Sequence, residues 1–226
     1  MKKMLKPAFV ATLPVLTGYL VLGFGFGIIM QANGYGILLA FAMSFFIYAG
    51  SMQYVAIGLL TGGASLLTVA LTTLMVNARH LFYGISMLDR YKHVGKKKPY
   101  LIFSLTDETY SLVCCDNPSI PAVSRTDYYF LVSLLNHLYW VIGSLLGAAV
   151  GSLIHFNTQG IDFALTALFI TVFVEQWLTT KKHIPALLGV GASLFCLLLF
   201  GRDHFLIPAM LLIALSLCLY KEDCHE

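Results

Sequence analysis

Charge is what this sequence has least of. Lys and Arg number 14 and Asp and Glu 11 in 226 residues, 11% together, against 58% apolar side chains. A soluble domain carries about a quarter charged residues, so this chain cannot clothe a water-facing surface. Disorder and coiled coil are excluded on the same ground. Cysteine is sparse too: the five, at positions 114, 115, 196, 218 and 224, show no Cys-x-x-Cys spacing. That pattern fits packing residues or free thiols, and it argues against a disulfide scaffold or a metal site. No nucleotide-binding glycine loop is present, because Gly23-Phe24-Gly25-Phe26-Gly27 lacks the G-x-G-x-x-G spacing and a flanking strand. No cofactor is implied. An intramembrane serine protease would need a better nucleophile motif than Gly50-Ser51-Met52, so the sequence does not read as an enzyme.

What is present is a series of apolar runs of membrane-spanning length. They cover Phe9 to Met30, Gly36 to Leu60, Tyr128 to Ile154, Ile161 to Thr179, Ile184 to Phe200 and Phe205 to Tyr220. Two further apolar segments are interrupted by charge. Ala64 to Leu88 contains Asn77, Arg79 and His80, and Leu101 to Cys115 contains Asp107 and Glu108. The expectation is an all-α polytopic membrane protein with about six full spans and two broken or re-entrant helical segments. It forms a single integral membrane domain over 1–226. The N-terminal Met1-Lys2-Lys3 with its apolar run reads as a retained first helix, because no A-x-A-like cleavage site follows.

The positive-inside rule orients these spans. If the six clean runs cross and both interrupted segments enter and leave on one side, 12 of the 14 basic residues face the cytoplasm, including the Arg90–Lys98 cluster and both termini. If each interrupted segment crosses once, the cluster moves outside and the asymmetry vanishes. Lys96-Lys97-Lys98 is then a topology anchor at an anionic leaflet, with no nucleic-acid role.

A faint internal echo suggests duplicated halves, 1–120 and 121–226. Gly23-x-x-x-Gly27 is matched by Gly143-x-x-x-Gly147, and Phe46 and Gln53 by Phe169 and Gln176. In the preferred topology the two copies run parallel.

Four constellations carry candidate function. Arg79 is costly in an apolar medium and needs a carboxylate, a water cavity or an interface. It is a candidate anchor for a substrate or structural carboxylate, with Asn77 and His80 beside it and His80 a possible proton carrier. The alternative is a helix-end arginine that snorkels to the cytoplasm. In Ser104-Leu105-Thr106-Asp107-Glu108, the Ser104…Asp107 spacing has capping-box form, and adjacent acids suit a helix N-terminus. Asp107 or Glu108 is a candidate partner of Arg79, proton site or acceptor for a substrate ammonium; an ordinary interfacial cap is the alternative. In the first span, Pro14, Gly23, Gly25 and Gly27 mark either a helix break that exposes backbone to a ligand or a close packing face. Tyr48, Ser51 and Gln53 are polar groups in a clean span, with Gln53 the candidate for a pore-side position. His137 beside Asn136 is read as a bundle hydrogen-bonder before a proton relay.

Taken together these residues resemble the AzlC family of branched-chain amino-acid permeases. The likeness rests on the proline and glycines of the first span, Ser44…Tyr48-Ala49-Gly50-Ser51-x-Gln53, Asn77-Ala78-Arg79-His80-Leu81-Phe82-Tyr83 and Thr106-Asp107-Glu108-Thr109-Tyr110. The resemblance implies export of branched-chain or other hydrophobic amino acids across a bacterial inner membrane. It also implies pairing with a small multi-span subunit of the AzlD type. Proton coupling fits the lack of a nucleotide-binding motif. A channel or carrier for another small solute, or a non-transporting assembly subunit, are the competing classes.

Overall fold

The computed structural model describes residues 2–114, 120–153, 170, 173–174, 177–178 and 183–219. Among these residues every regular element is helical. The chain divides into two compact units, 1–161 and 162–226.

The first unit is built on two long helices, α1 (Lys2–Ala32) and α8 (Arg125–Leu153). At 31 residues α1 is about 45 Å long, more than the roughly 30 Å of a hydrocarbon core. It runs unbroken through Pro14 and the three glycines. The helix break considered for this span is therefore absent, and the glycines serve packing. A Cβ on Gly23 would stand 2.9 Å from the Trp140 carbonyl oxygen, and one on Gly143 2.9 Å from that of Leu20. Gly27 lies against Ser144 and Gly147, and Gly147 against Phe24. The two small-residue motifs thus face each other across one parallel interface. Its glycine contacts exchange under a shift of about 120 residues. The first echo read in the sequence is this interface; Phe169 and Gln176 lie outside the described residues.

The second apolar run, expected as one clean span, is split. It comprises α2 (Gly36–Ala42), a π-helical turn over Met43–Ile47, and α3 (Gly50–Thr61). Between them Tyr48 adopts the left-handed conformation, φ 46°, and Ala49 is also non-helical. The first interrupted segment is α4 (Leu66–Val76) and α5 (Arg79–Ser86), parted by a turn at Asn77-Ala78. The second is α6 (Lys98–Phe103) and α7 (Asp107–Val113), parted at Ser104–Thr106. All three breaks lie in the first unit. The loop before α6 is anchored by a buried cluster that includes Met87, Tyr91, Val94 and Leu101, packed with Tyr128, Tyr129 and Val132 of α8.

In the second unit α9 (Ile184–His204), interrupted at Gly201 with φ 71°, packs on α10 (Leu206–Leu219). Most of the expected span Ile161–Thr179 lies outside the described residues. Three described helices are long and apolar enough to cross a membrane: Lys3–Ala32, Arg125–Leu153 and Ile184–Gly201. Large apolar side chains point outward elsewhere, Leu66, Leu74 and Phe82 among them. Water would penalise that surface, whereas a lipid or protein partner accommodates it.

Candidate functional site

The breaks bring three helix N-termini together. Arg79 opens α5 and Asp107 opens α7, and their side chains form an ion pair. The other guanidinium arm donates to Ser51 Oγ in the first turn of α3, at 3.1 Å. Arg79 does sit at a helix end, but its head group is turned onto these two partners. Side-chain exposures of 38% and 32% for Arg79 and Asp107 leave the pair partly open. Two of its polar atoms, Arg79 Nε and Asp107 Oδ1, are nonetheless buried with no hydrogen-bond partner among the described residues. Such atoms are costly unless something satisfies them.

A carboxylate at the start of a helix is favoured by the exposed N–H groups there. Asp107 and Glu108 both occupy the first turn of α7. The cap differs from the expected one. Thr106 accepts from the Thr109 N–H at 3.3 Å, while Ser104 donates to the Tyr100 carbonyl at 2.7 Å and closes the end of α6. The chain turns between the two, so Ser104 is spent on the outgoing helix before α7 begins.

Glu108 turns the other way from Asp107, into the bundle. Tyr19 of α1 donates to its Oε2 at 2.6 Å, and the same hydroxyl lies 2.8 Å from Thr106 Oγ1. Thr106 donates to Thr109 Oγ1, which also receives the Asn136 amide of α8 at 3.0 Å. A continuous polar chain thus links Glu108 to the centre of α8. Beyond it, His137 shares a hydrogen bond of 3.1 Å with the Tyr100 hydroxyl and lies 4.4 Å, ring to ring, from Tyr48. Tyr48 is 4% exposed, and its hydroxyl has no partner among the described residues.

Gln53, expected on a pore-side surface, is fully buried against α8 instead. Its Oε1 receives Trp140 Nε1 at 3.0 Å and the Ala49 N–H at 3.2 Å, and its Nε2 donates to Ser44 Oγ. Ser44 in turn donates to Ser144. The glutamine therefore braces the break at Tyr48 by capping α3 and tying it to α8. His80 bonds the Asn77 carbonyl through Nδ1 at 3.2 Å and does not join the ion pair. Asn77 contributes that carbonyl at the end of α4.

Several participants went unmarked in the sequence. Tyr19 stands four residues before Gly23, on the packing face of α1. Trp140 and Ser144 follow Asn136, already noted beside His137, at intervals of four and make a polar stripe on one face of α8. Both signals were legible, but neither looks unusual without knowing which helices pair. Among the described residues no cluster of His, Cys, Asp and Glu has the makings of a metal site.

The region that holds all of these residues is the one that matches a known family. The family model described as AzlC protein matches residues 14–154. The chain belongs to the AzlC family. Its relatives include the branched-chain amino acid transport protein AzlC of Bacillus subtilis, 50% identical over 92% of this chain and 82% of that protein. An uncharacterized membrane protein of Helicobacter pylori strain 26695 is 46% identical over 98% of this chain and 96% of its own length. The inner membrane protein YgaZ of Escherichia coli is 27% identical over 89% of this chain and 82% of its own. No solved structure matches. The AzlC match takes in the breaks at Tyr48, Asn77 and Thr106 and every member of the Arg79 and Glu108 networks, and stops before the second unit.

Proposed function

We propose that this AzlC-family chain is the larger subunit of a secondary transporter that exports branched-chain or other hydrophobic L-amino acids, working with a small AzlD-type membrane subunit. The observation that carries the reading is the Arg79–Asp107 pair with its two unsatisfied atoms, set where the broken helices meet. A zwitterionic amino acid is the natural ligand for such a pair. Its carboxylate takes the place of Asp107 on Arg79, aided by the N–H groups at the start of α3, and its ammonium takes the place of Arg79 on Asp107. The exchange leaves the site neutral whether empty or loaded, so neither form carries an unpaired charge through the apolar protein. Tyr48, with its partnerless hydroxyl, and the rings beside it supply an aromatic wall for an aliphatic side chain.

Proton coupling is assigned to Glu108. Its carboxylate accepts from Tyr19 and leads through Thr106 and Thr109 to Asn136. His80 is the second titratable group to test. The chain sits in the bacterial inner membrane with both termini and the Arg90–Lys98 loop cytoplasmic, as the charge distribution favours.

The test is export itself. Cells fed Val-, Leu-, Ile- and Met-containing dipeptides accumulate the free amino acids, and co-expression of this chain with its small partner relieves the accumulation while either alone does not. Arg79→Ala and Asp107→Asn, at wild-type membrane levels, abolish the relief. Export by both variants at the wild-type rate would remove the site assignment.

A further inference from the structure

A cavity of about 460 Å³ lies between α5 and α6, with Phe103 at its border with the aromatic wall. Its long side is aliphatic: Leu81, Ile85, Leu88 and Ile102 line it and are each more than half exposed. The groove is therefore open sideways, toward whatever surrounds the helices. Its polar groups are segregated. His80, committed to the Asn77 carbonyl, marks one end. Tyr91 and Lys98 mark the other, where the basic loop begins.

That loop end is built for an anion. Tyr91 is only 2% exposed, yet its hydroxyl has no partner among the described residues. Burial, and then the nearby Tyr129, push this hydroxyl well above the ordinary tyrosine range, so it stays a donor. Lys98 has no ion-pair partner among the described residues, whereas Lys97 is held by Asp127 at 2.5 Å. Lys92, His93 and Lys96 are exposed in the loop between α5 and α6, with Asp89 the one acid in that loop. No carboxylate lines the groove, so a free amino acid would leave its ammonium unpaired there.

We propose that this groove is a binding site for an anionic phospholipid, with the phosphate at Lys98 and Tyr91 and an acyl chain along α5 toward His80. A cationic mouth above an apolar, laterally open channel matches an amphiphile whose charge sits at one end, and basic pockets beside membrane helices hold such head groups. The lipid would brace α5, and with it the position of Arg79 at that helix's first residue.

Gly84 supplies a clean probe. It lines the groove, and a Cβ built on it meets nothing within 4 Å. A side chain can therefore leave the backbone at this position without a clash at Cβ, and Gly84→Leu is the variant chosen to fill the channel. The full chain, delipidated in detergent, is titrated with phosphatidylglycerol, phosphatidylcholine, inorganic phosphate and leucine, and read by native mass spectrometry and thermal melting. Phosphatidylglycerol is expected to bind and raise the Tm, with phosphatidylcholine weaker and phosphate alone without effect. Lys98→Gln should weaken phosphatidylglycerol by about fivefold, the scale of one basic contact at a membrane surface, and Tyr91→Phe should add to the loss. Gly84→Leu should exclude the lipid while melting like the lipid-free wild type; if it does not fold, the Lys98 and Tyr91 variants decide. Equal binding of both lipids with no change in those variants overturns the proposal. So does protection by phosphate alone, or displacement of the lipid by leucine.

Discussion

Arg79 keeps its charge in an apolar protein because Asp107 and Ser51 reach it from two other helices. Each bond is made at the first turn of a helix, so a small rotation of α3, α5 or α7 changes the pairing. Substitutions should read this directly. Asp107→Asn keeps the shape and removes the charge, and transport should fall to background, a loss of about 100-fold at the upper scale of one charge-assisted hydrogen bond. Arg79→Lys should recover part of the rate lost in Arg79→Ala, because a point charge replaces the two-armed contact only incompletely. Glu108→Gln should act differently. It keeps a hydrogen-bonding group for Tyr19 but cannot titrate, so export driven by a pH gradient should fail while leucine exchange at equal pH persists. Loss of both activities would reduce Glu108 to a structural role.

At the scale of elements, the parallel packing of α1 on α8 sets the frame, and glycine sets how close it is. Gly27→Ala would drive a methyl group into the backbone at Ser144 and Ala148, an overpacking that costs about 1–3 kcal/mol. Gly18→Ala on the same helix has open space and should be near neutral, so the difference in Tm between the two variants in detergent checks the interface. The break at Tyr48 depends on this frame. In Gln53→Leu the Trp140 indole and the Ala49 N–H lose their acceptor, costing about 1–3 kcal/mol. Trp140 emission, read in a Trp177→Phe background, should shift together with a lower Tm.

These elements also show what a sequence can and cannot reveal. The breaks at Asn77 and Thr106 were legible because each gathers charged residues that an apolar span does not tolerate. The break at Tyr48 was not. Its residues are apolar or weakly polar, contain no proline, and are braced by bonds of Gln53 with Ala49, Ser44 and Trp140 of α8. Pro14 and the glycines of α1 allowed two readings, a break or a close packing face, and the packing reading holds. They look like helix breakers, but a membrane helix tolerates them where a neighbour packs closely, and α8 does so here.

At the scale of the molecule, scarcity of charge marked the chain as a membrane protein, and the placement of the few charges pointed to the site. The AzlC match over 14–154 coincides with the unit that holds all three breaks. The proposed orientation, with the basic loop cytoplasmic, follows from the charge distribution alone. Lys96→Cys in a cysteine-free background should react with an impermeant thiol reagent only in inverted vesicles, and labelling of intact spheroplasts would reverse the orientation.

The central claim is that an amino acid binds at the Arg79–Asp107 pair and is carried. Leucine counterflow into proteoliposomes that contain this chain with its small partner tests it most directly. Wild-type protein should show saturable uptake against preloaded valine, and Arg79→Ala and Asp107→Asn should show none at equal incorporation. Uptake by both variants at the wild-type rate, or a non-saturating ohmic conductance in the wild type, would contradict it.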